Sequence, residues 1–182
     1  PAVTHIFCGG GKLDEPCRAG MATLCPNTAI REFYGTSETS FITIADASTT
    51  AGSVGRAYPG VRIRTDTAGR IWVASPYLFD SYAEPDLAPP PRDGDFIRTG
   101  DIGHLDATGQ LFLRGRENRM ITVSDHNLFL EDIETALMSG GAGLCAAVAI
   151  PDPQRGHAII AAIEGKADDA LATRLRRHCR ET

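Results

Sequence analysis

Two stretches of this chain repeat one arrangement, and the repeat constrains what can be built around it. Val61-Arg62-Ile63-Arg64 alternates apolar with cationic side chains, Thr65-Asp66-Thr67-Ala68-Gly69 has the composition of a tight turn, and residues 70–74 return as a strand. Residues 101–105, a turn at Asp106-Ala107-Thr108-Gly109, and residues 110–114 form a second copy. The stretch between the copies, residues 85–95, contains Pro89-Pro90-Pro91 and is too rich in proline for a strand interior. Two hairpins with little helix predict a small antiparallel barrel or folded sheet.

The flanking segments have a different texture. Residues 3–7 read as a short strand ending in Gly9-Gly10-Gly11. Leu13, Cys17, Met21 and Leu24 then recur at helical spacing, with Asp14, Glu15 and Pro16 in the first turn and Pro26 closing the helix. Residues 29–34 and 41–45 read as two more strands, which makes the first third strand-helix-strand, an α/β pattern. Beyond the hairpins the sequence predicts a strand over 120–123 and a helix from Leu130, with Leu130, Ile133 and Leu137 on one face. Glu131, Asp132 and Glu134 fall in its early turns, where the helix dipole favours anions. Strands over 145–150 and 157–163 and a helix from Asp168 carrying Leu171 and Leu175 follow. The expected organisation is an α/β piece over 1–52, a barrel-like subdomain over 53–117 and a small α+β domain over 118–182.

Bulk properties exclude several function classes. The formal net charge of −5 argues against non-specific binding to nucleic acid or anionic membranes. No apolar run approaches the roughly 20 residues needed to span a bilayer. Five cysteines, Cys8, Cys17, Cys25, Cys145 and Cys179, lack the paired spacing of a zinc site and read as buried free thiols, in keeping with a reducing cytoplasm. The chain opens on Pro1 and its last helix runs to Thr182 without a cap, so a piece of a longer polypeptide is expected.

Three motifs carry chemistry. Arg31-Glu32-Phe33-Tyr34-Gly35-Thr36-Ser37-Glu38-Thr39 gathers a ring, a glycine, hydroxyls and a carboxylate behind an alternating run. Such a set suits a nucleotide: a face for a base, close backbone approach, and oxygens for phosphate and Mg²⁺. Asp93-Gly94-Asp95-Phe96-Ile97-Arg98-Thr99-Gly100-Asp101 leaves a carboxylate at Asp101 able to accept bonds from vicinal hydroxyls, although alone it reads as an acidic turn. Gly115-Arg116-Glu117-Asn118-Arg119-Met120-Ile121 puts Arg116 at a strand end beside a change of composition, either as a phosphate or ribose clamp or as a surface arginine at a domain boundary.

In this order the motifs resemble the adenylate-forming superfamily of acyl-CoA synthetases, peptide-synthetase adenylation domains and luciferases. Cys8-Gly9-Gly10-Gly11-Lys12-Leu13 stands where that family has Ser-Gly-Gly-Ala-Pro-Leu. Gly55-Arg56-Ala57-Tyr58-Pro59-Gly60-Val61 resembles its Gly-x-Pro-x-Pro-Gly stretch. Asn127 and Ile133-Glu134 are in register with its Asn and Glu-Ile-Glu helix, and Ala149-Ile150-Pro151-Asp152 with Gly156 matches its Val-Pro-Asp turn. The resemblance spans essentially the whole chain. It implies the last α/β piece of a large domain, a β-barrel subdomain and most of a small mobile C-terminal α+β lid, with a hinge at Asn118. It also implies that Tyr34 stacks on adenine, that Gly10, Gly11 and Gly35 let backbone line the nucleotide and acyl pocket, and that Ser37 bonds the α-phosphate. Glu38 would hold Mg²⁺, Asp101 the ribose hydroxyls, and Arg116 ribose or phosphate. The implied reaction joins a small carboxylic acid to AMP from ATP and passes the acyl group to a thiol, of CoA or of an acyl carrier protein's phosphopantetheine.

Departures temper the resemblance. The hinge position, commonly Asp or Lys, is Asn118, and the family's Gly-Gly lining a thiol tunnel reads Asp125-His126. His126 is expected to be a surface turn residue, and His157, in place of the family's Glu, a structural one. Neither Lys12 nor Lys166 matches the family's C-terminal catalytic lysine, and its upstream phosphate loop has no counterpart, so little adenylation by these residues alone is expected. The rival expectation is a non-catalytic module, derived from the same fold, that binds a nucleotide or a partner protein.

Overall fold

The computed structural model describes residues 3–11, 13, 15–84, 86–123, 126–166 and 168–181. Lys12 and Asp125 lie outside the described residues. The chain divides into two compact units, Pro1–Arg114 and Gly115–Thr182.

In the first unit a four-stranded sheet runs β1 (His5–Cys8), β2 (Ala29–Thr36), β3 (Ser40–Ala45), β4 (Arg56–Ala57). β1 and β2 are parallel, joined by helix α1 (Glu15–Leu24), and the later pairs are antiparallel. The second sheet holds β5 (Arg62–Thr65), β6 (Arg70–Ala74), β8 (Phe96–Leu105) and β7 (Arg92–Asp93), with β9 (Leu111–Arg116) also paired to β8. The proline-rich stretch contributes only the two-residue edge strand β7, since proline cannot donate to a ladder.

The repeat seen in the sequence is a repeat of hydrogen bonds. Asp66 Oδ1 accepts the N–H groups of Ala68 and Arg70, and Asp106 Oδ1 accepts those of Thr108 and Gln110. Each turn closes on a glycine at positive φ, Gly69 at 75° and Gly109 at 79°, a conformation glycine adopts without steric penalty.

The two sheets share one core. Ile42 of the first packs with Val54, Val61, Ile71, Val73 and Leu111. Buried polar groups beside it are bonded: Thr43 Oγ1 donates to the Val54 carbonyl at 2.6 Å, and Ser53 Oγ to that of Leu111 at 2.9 Å.

The second unit opens with a single 3-10 turn, Glu117–Arg119, followed by the antiparallel pair β10 (Met120–Val123) and β11 (His126–Phe129). Helix α2 (Leu130–Ser139), the antiparallel pair β12 (Cys145–Asp152) and β13 (Gly156–Ile163), and helix α3 (Asp169–Glu181) complete it. Phe129, Leu130, Leu137, Ala147 and Leu175 are its buried apolar residues. Arg119 ties the opening turn to α2, reaching Glu131 at 2.7 Å and Glu134 at 2.6 Å, and Glu134 also accepts the Ala147 N–H of β12. His157 Nδ1 lies 3.1 Å from the Thr122 carbonyl, so that nitrogen carries the proton and bridges β13 to β10. His126 is exposed at the start of β11 rather than in a turn.

The expectation for the cysteines is corrected as well. The five cysteines are free thiols but none is buried: Cys17 is exposed and the other four are half-buried. The apolar side of α1 explains part of this, because Leu24 is 83% exposed and no residue of that helix is buried.

Candidate nucleotide site

Both principal motifs sit at irregularities in their sheets. Tyr34 pairs with Thr43 and Gly35 with Phe41, so Ile42 is bulged out of the β2–β3 ladder. The return strand comes so close that a Cβ on Gly35 would lie 1.9 Å from the Ser40 carbonyl oxygen. Ser40 itself takes φ 55°, closing the loop Ser37-Glu38-Thr39. Thr39 is fully buried, and its Oγ1 accepts the Thr36 N–H at 3.1 Å and lies 3.0 Å from Thr36 Oγ1. These bonds preset the hairpin tip, leaving Ser37 exposed and Glu38 half-buried.

The second irregularity aims Asp101. Arg70 pairs with Ile102 and Trp72 with Arg98, so Thr99, Gly100 and Asp101 together face the single residue Ile71. Gly100 takes φ 81°, and Thr99 Oγ1 donates to the Ile71 carbonyl at 3.2 Å while accepting the Asp101 N–H at 3.1 Å. The outcome is direct contact between the motifs: Tyr34 Oη donates to Asp101 Oδ2 at 2.6 Å. That length belongs to charge-assisted O–H···O⁻ bonds. The Tyr34 ring packs against the shared core, and Asp101 is 6% exposed, so the pair is held rigidly in a poorly solvated setting.

The glycine run leaves the end of β1 beside β2. Cys8 pairs with Glu32, and a Cβ on Gly9 would meet the Phe33 ring at 2.3 Å. Gly10 takes φ 91°, and a Cβ on Gly10 or Gly11 would meet nothing within 4 Å, so these two border open space. Glu32, 5% exposed, secures the segment beyond them, accepting the Leu13 N–H at 2.9 Å and the Arg18 guanidinium at 3.1 Å. Open space at the carboxyl ends of parallel strands is where α/β sheets commonly take ligands.

Glu38 is held through both its main chain and its side chain. The Phe79 N–H donates to the Glu38 carbonyl at 2.9 Å, and Tyr82 Oη donates to Glu38 Oε1 at 2.8 Å. The carboxylate in turn raises the Tyr82 phenol above its usual value, chiefly through that hydrogen bond and then through desolvation. An apolar cavity of about 480 Å³ lies elsewhere, on the Phe33 side of the sheet with Phe7, Arg31, Phe41 and Tyr58. Successive strand residues face opposite ways, which puts the Tyr34 ring on the other side.

Of the residues singled out from sequence, the structure joins Tyr34 to Asp101 and gathers Gly35, Ser37 and Glu38 into one hairpin. Arg116 ends β9 and Asn118 is the middle residue of the 3-10 turn, both in the second unit. Sequence reasoning missed Glu32, Thr99 and Tyr82 as supporting residues. The spacing of Thr99 two residues before Asp101 was a usable signal, whereas Tyr82 lies in a loop whose partner no local pattern announces.

No protein-family model matches the chain. It is 31% identical over 193 residues to the acyl-CoA ligase YhfT of Bacillus subtilis, covering 97% of this chain and 38% of that protein. It is 33% identical over 170 residues to the 2-succinylbenzoate–CoA ligase of Lactococcus lactis, covering 88% and 36%. In fold it matches the o-succinylbenzoate CoA synthetase of Bacillus subtilis with a TM-score of 0.80 at 22% identity, over 97% of this chain and 39% of that one. The chain belongs to the adenylate-forming superfamily. Within that family it corresponds to the C-terminal portion, spanning 38% and 36% of the length of these two relatives. No helix among the described residues is long and apolar enough to cross a membrane.

Proposed function

We propose that the chain carries the nucleotide half of an acid-ligase site. The whole protein activates a small carboxylic acid with ATP: a carboxylate oxygen bonds the α-phosphorus, the bond to pyrophosphate breaks, and an acyl-adenylate remains. The sulfur of a thiol, of CoA or of a carrier protein's phosphopantetheine, then bonds the acyl carbon, the acyl–phosphate bond breaks, and AMP and the thiol proton leave. The observation that carries this reading is the Tyr34–Asp101 hydrogen bond, which unites two motifs 67 residues apart. The Bacillus subtilis synthetase of like fold binds the acyl-adenylate OSB-AMP, in keeping with such a site.

In this reading adenine lies on the Tyr34 ring, the ribose hydroxyls bond Asp101, and the exposed Ser37 hydroxyl donates to the α-phosphate. Gly10, Gly11 and Gly35 keep backbone close to the ligand. Arg116 meets ribose or phosphate, and Asn118 is the hinge for the lid. The donor chemistry at the hairpin tip fits Mg²⁺. Glu38 offers hard carboxylate oxygens, held by Tyr82 at the hairpin tip. A cation held by one carboxylate and the substrate's phosphates has this pattern. When bound, Mg²⁺ would neutralise phosphate charge.

The test is saturation-transfer NMR with AMP on the 182-residue chain and its Asp101→Ala variant. The reading expects transfer to adenine H2 and H8 and to the ribose protons, lost in the variant. Equal transfer to both proteins would sink it.

A further inference from the structure

We infer that Tyr82 is the positioning residue for Glu38, the side chain that orients this carboxylate for a divalent cation; the inference rests on the nucleotide-site reading above. Glu38 stands at the tip of a three-residue loop, where a long charged side chain has three rotatable bonds and, unsupported, many conformers. Its backbone is fixed by the hairpin, through Thr39 and the left-handed Ser40. Its side chain is fixed from another part of the chain: Tyr82 Oη donates to Glu38 Oε1 at 2.8 Å across 44 residues. The same short segment grips the Glu38 main chain, since the Phe79 N–H donates to the Glu38 carbonyl at 2.9 Å. Phe79 and Tyr82 brace each other, edge to face with ring centres 4.9 Å apart. The grip is therefore a two-point clamp built from one loop, and a core contact would need neither the phenol hydroxyl nor its aim at a carboxylate.

A phenol is suited to this task. It donates one hydrogen bond to a carboxylate oxygen and carries no positive charge that would repel a cation. An arginine or lysine in its place would orient the carboxylate but neutralise it. Tyr82 thus fixes Glu38 while leaving the carboxylate its full negative charge. Holding the carboxylate in advance removes an ordering cost from cation capture, and binding in this pocket should weaken when the hydroxyl is deleted.

The test uses the 182-residue chain labelled with [δ-¹³C]glutamate, with the Glu38 carboxyl signal followed during titration with Mg²⁺ in the presence of ATP. Glu38→Gln assigns the signal. Wild type is expected to show a saturable shift, and Tyr82→Phe, which keeps the ring against Phe79, to raise its midpoint roughly tenfold, as for loss of a bond to a charged group. Circular dichroism and the Phe79 ring signals check that the variant is folded. If it is not, Tyr82→Leu, which also lacks the donor, takes its place with the same expected roughly tenfold rise, and a midpoint within twofold of wild type overturns the positioning role in the same way. A saturable wild-type shift with a Tyr82→Phe midpoint within twofold overturns the positioning role alone. No Glu38 shift in wild type overturns the cation reading and the inference with it.

Discussion

The Tyr34 hydroxyl donates to Asp101 Oδ2 at 2.6 Å, across the shared core of two sheets and between two bulges. Its removal should be felt twice. Tyr34→Phe keeps the ring but leaves a nearly buried carboxylate short of one donor, and should cost about 1–2 kcal/mol of stability. Urea unfolding of the first unit, followed at its single tryptophan, Trp72, measures this. Affinity for AMP should fall several-fold in the same variant, because Asp101 is no longer held in one orientation.

The glycines separate folding from binding. Gly35→Ala drives a methyl into the Ser40 carbonyl, 1.9 Å from the ideal Cβ, and should destabilise the first unit by about 3 kcal/mol. Gly11→Ala adds a methyl that meets nothing, so stability should change by less than about 0.5 kcal/mol while AMP binding weakens. Paired urea and AMP titrations distinguish the two, and an unstable but binding-competent Gly11→Ala protein would contradict this assignment.

Glu32 anchors the start of α1 through the Leu13 N–H and Arg18. Arg18 retains 24% of its side-chain exposure, which limits the loss below that of a fully buried pair. Glu32→Ala should cost about 1–3 kcal/mol and act locally. Hydrogen exchange is expected to lose protection in α1 while the five-stranded sheet keeps its own.

Acid should loosen the twin turns. For Asp66, burial raises the carboxyl value but is outweighed by the Arg70 and Ala68 N–H groups and the Trp72 indole; for Asp106, the Gln110 N–H lowers it most. Both ionise more readily folded than unfolded. Their contribution is therefore complete above the unfolded carboxylate range and is lost as pH falls through the lower folded values. Asp66→Asn with Asp106→Asn removes these titrations but keeps an acceptor oxygen in each turn. The acid limb of a urea-stability profile should become shallower, with Asp46 and Asp152, also lowered, supplying what slope remains.

The twin hairpins were legible because each carries its own turn chemistry: Asp-x-x-Gly specifies the bonds at Asp66 and Asp106 without help from elsewhere. Helix α2 was legible from Leu130, Ile133 and Leu137 for the same local reason. Strands β4, β7 and β11 were not. Arg56–Ala57 and Arg92–Asp93 are strands only because a distant partner is alongside, and His126-Asn127-Leu128-Phe129 does not alternate polar with apolar residues. The candidate site divides the same way. Tyr34, Gly35, Ser37 and Glu38 stand together in sequence, and Asp101, whose motif alone reads as an acidic turn, took its role from the order of the three motifs. The Tyr82–Glu38 and Arg18–Glu32 contacts depend on long-range packing, and no pattern within either segment points to the other.

The most direct measurement is a cycle on ribose recognition. AMP and 2′,3′-dideoxy-AMP are titrated against wild type and Asp101→Asn, with dissociation constants read from NMR shifts of the Tyr34 ring. If Tyr34 and Asp101 hold a nucleotide together, wild type should prefer AMP by about tenfold, as for hydrogen bonds to a charged group, and the variant should lose most of that preference. Equal preference in both proteins, or no movement of the Tyr34 ring with either ligand, would contradict the account.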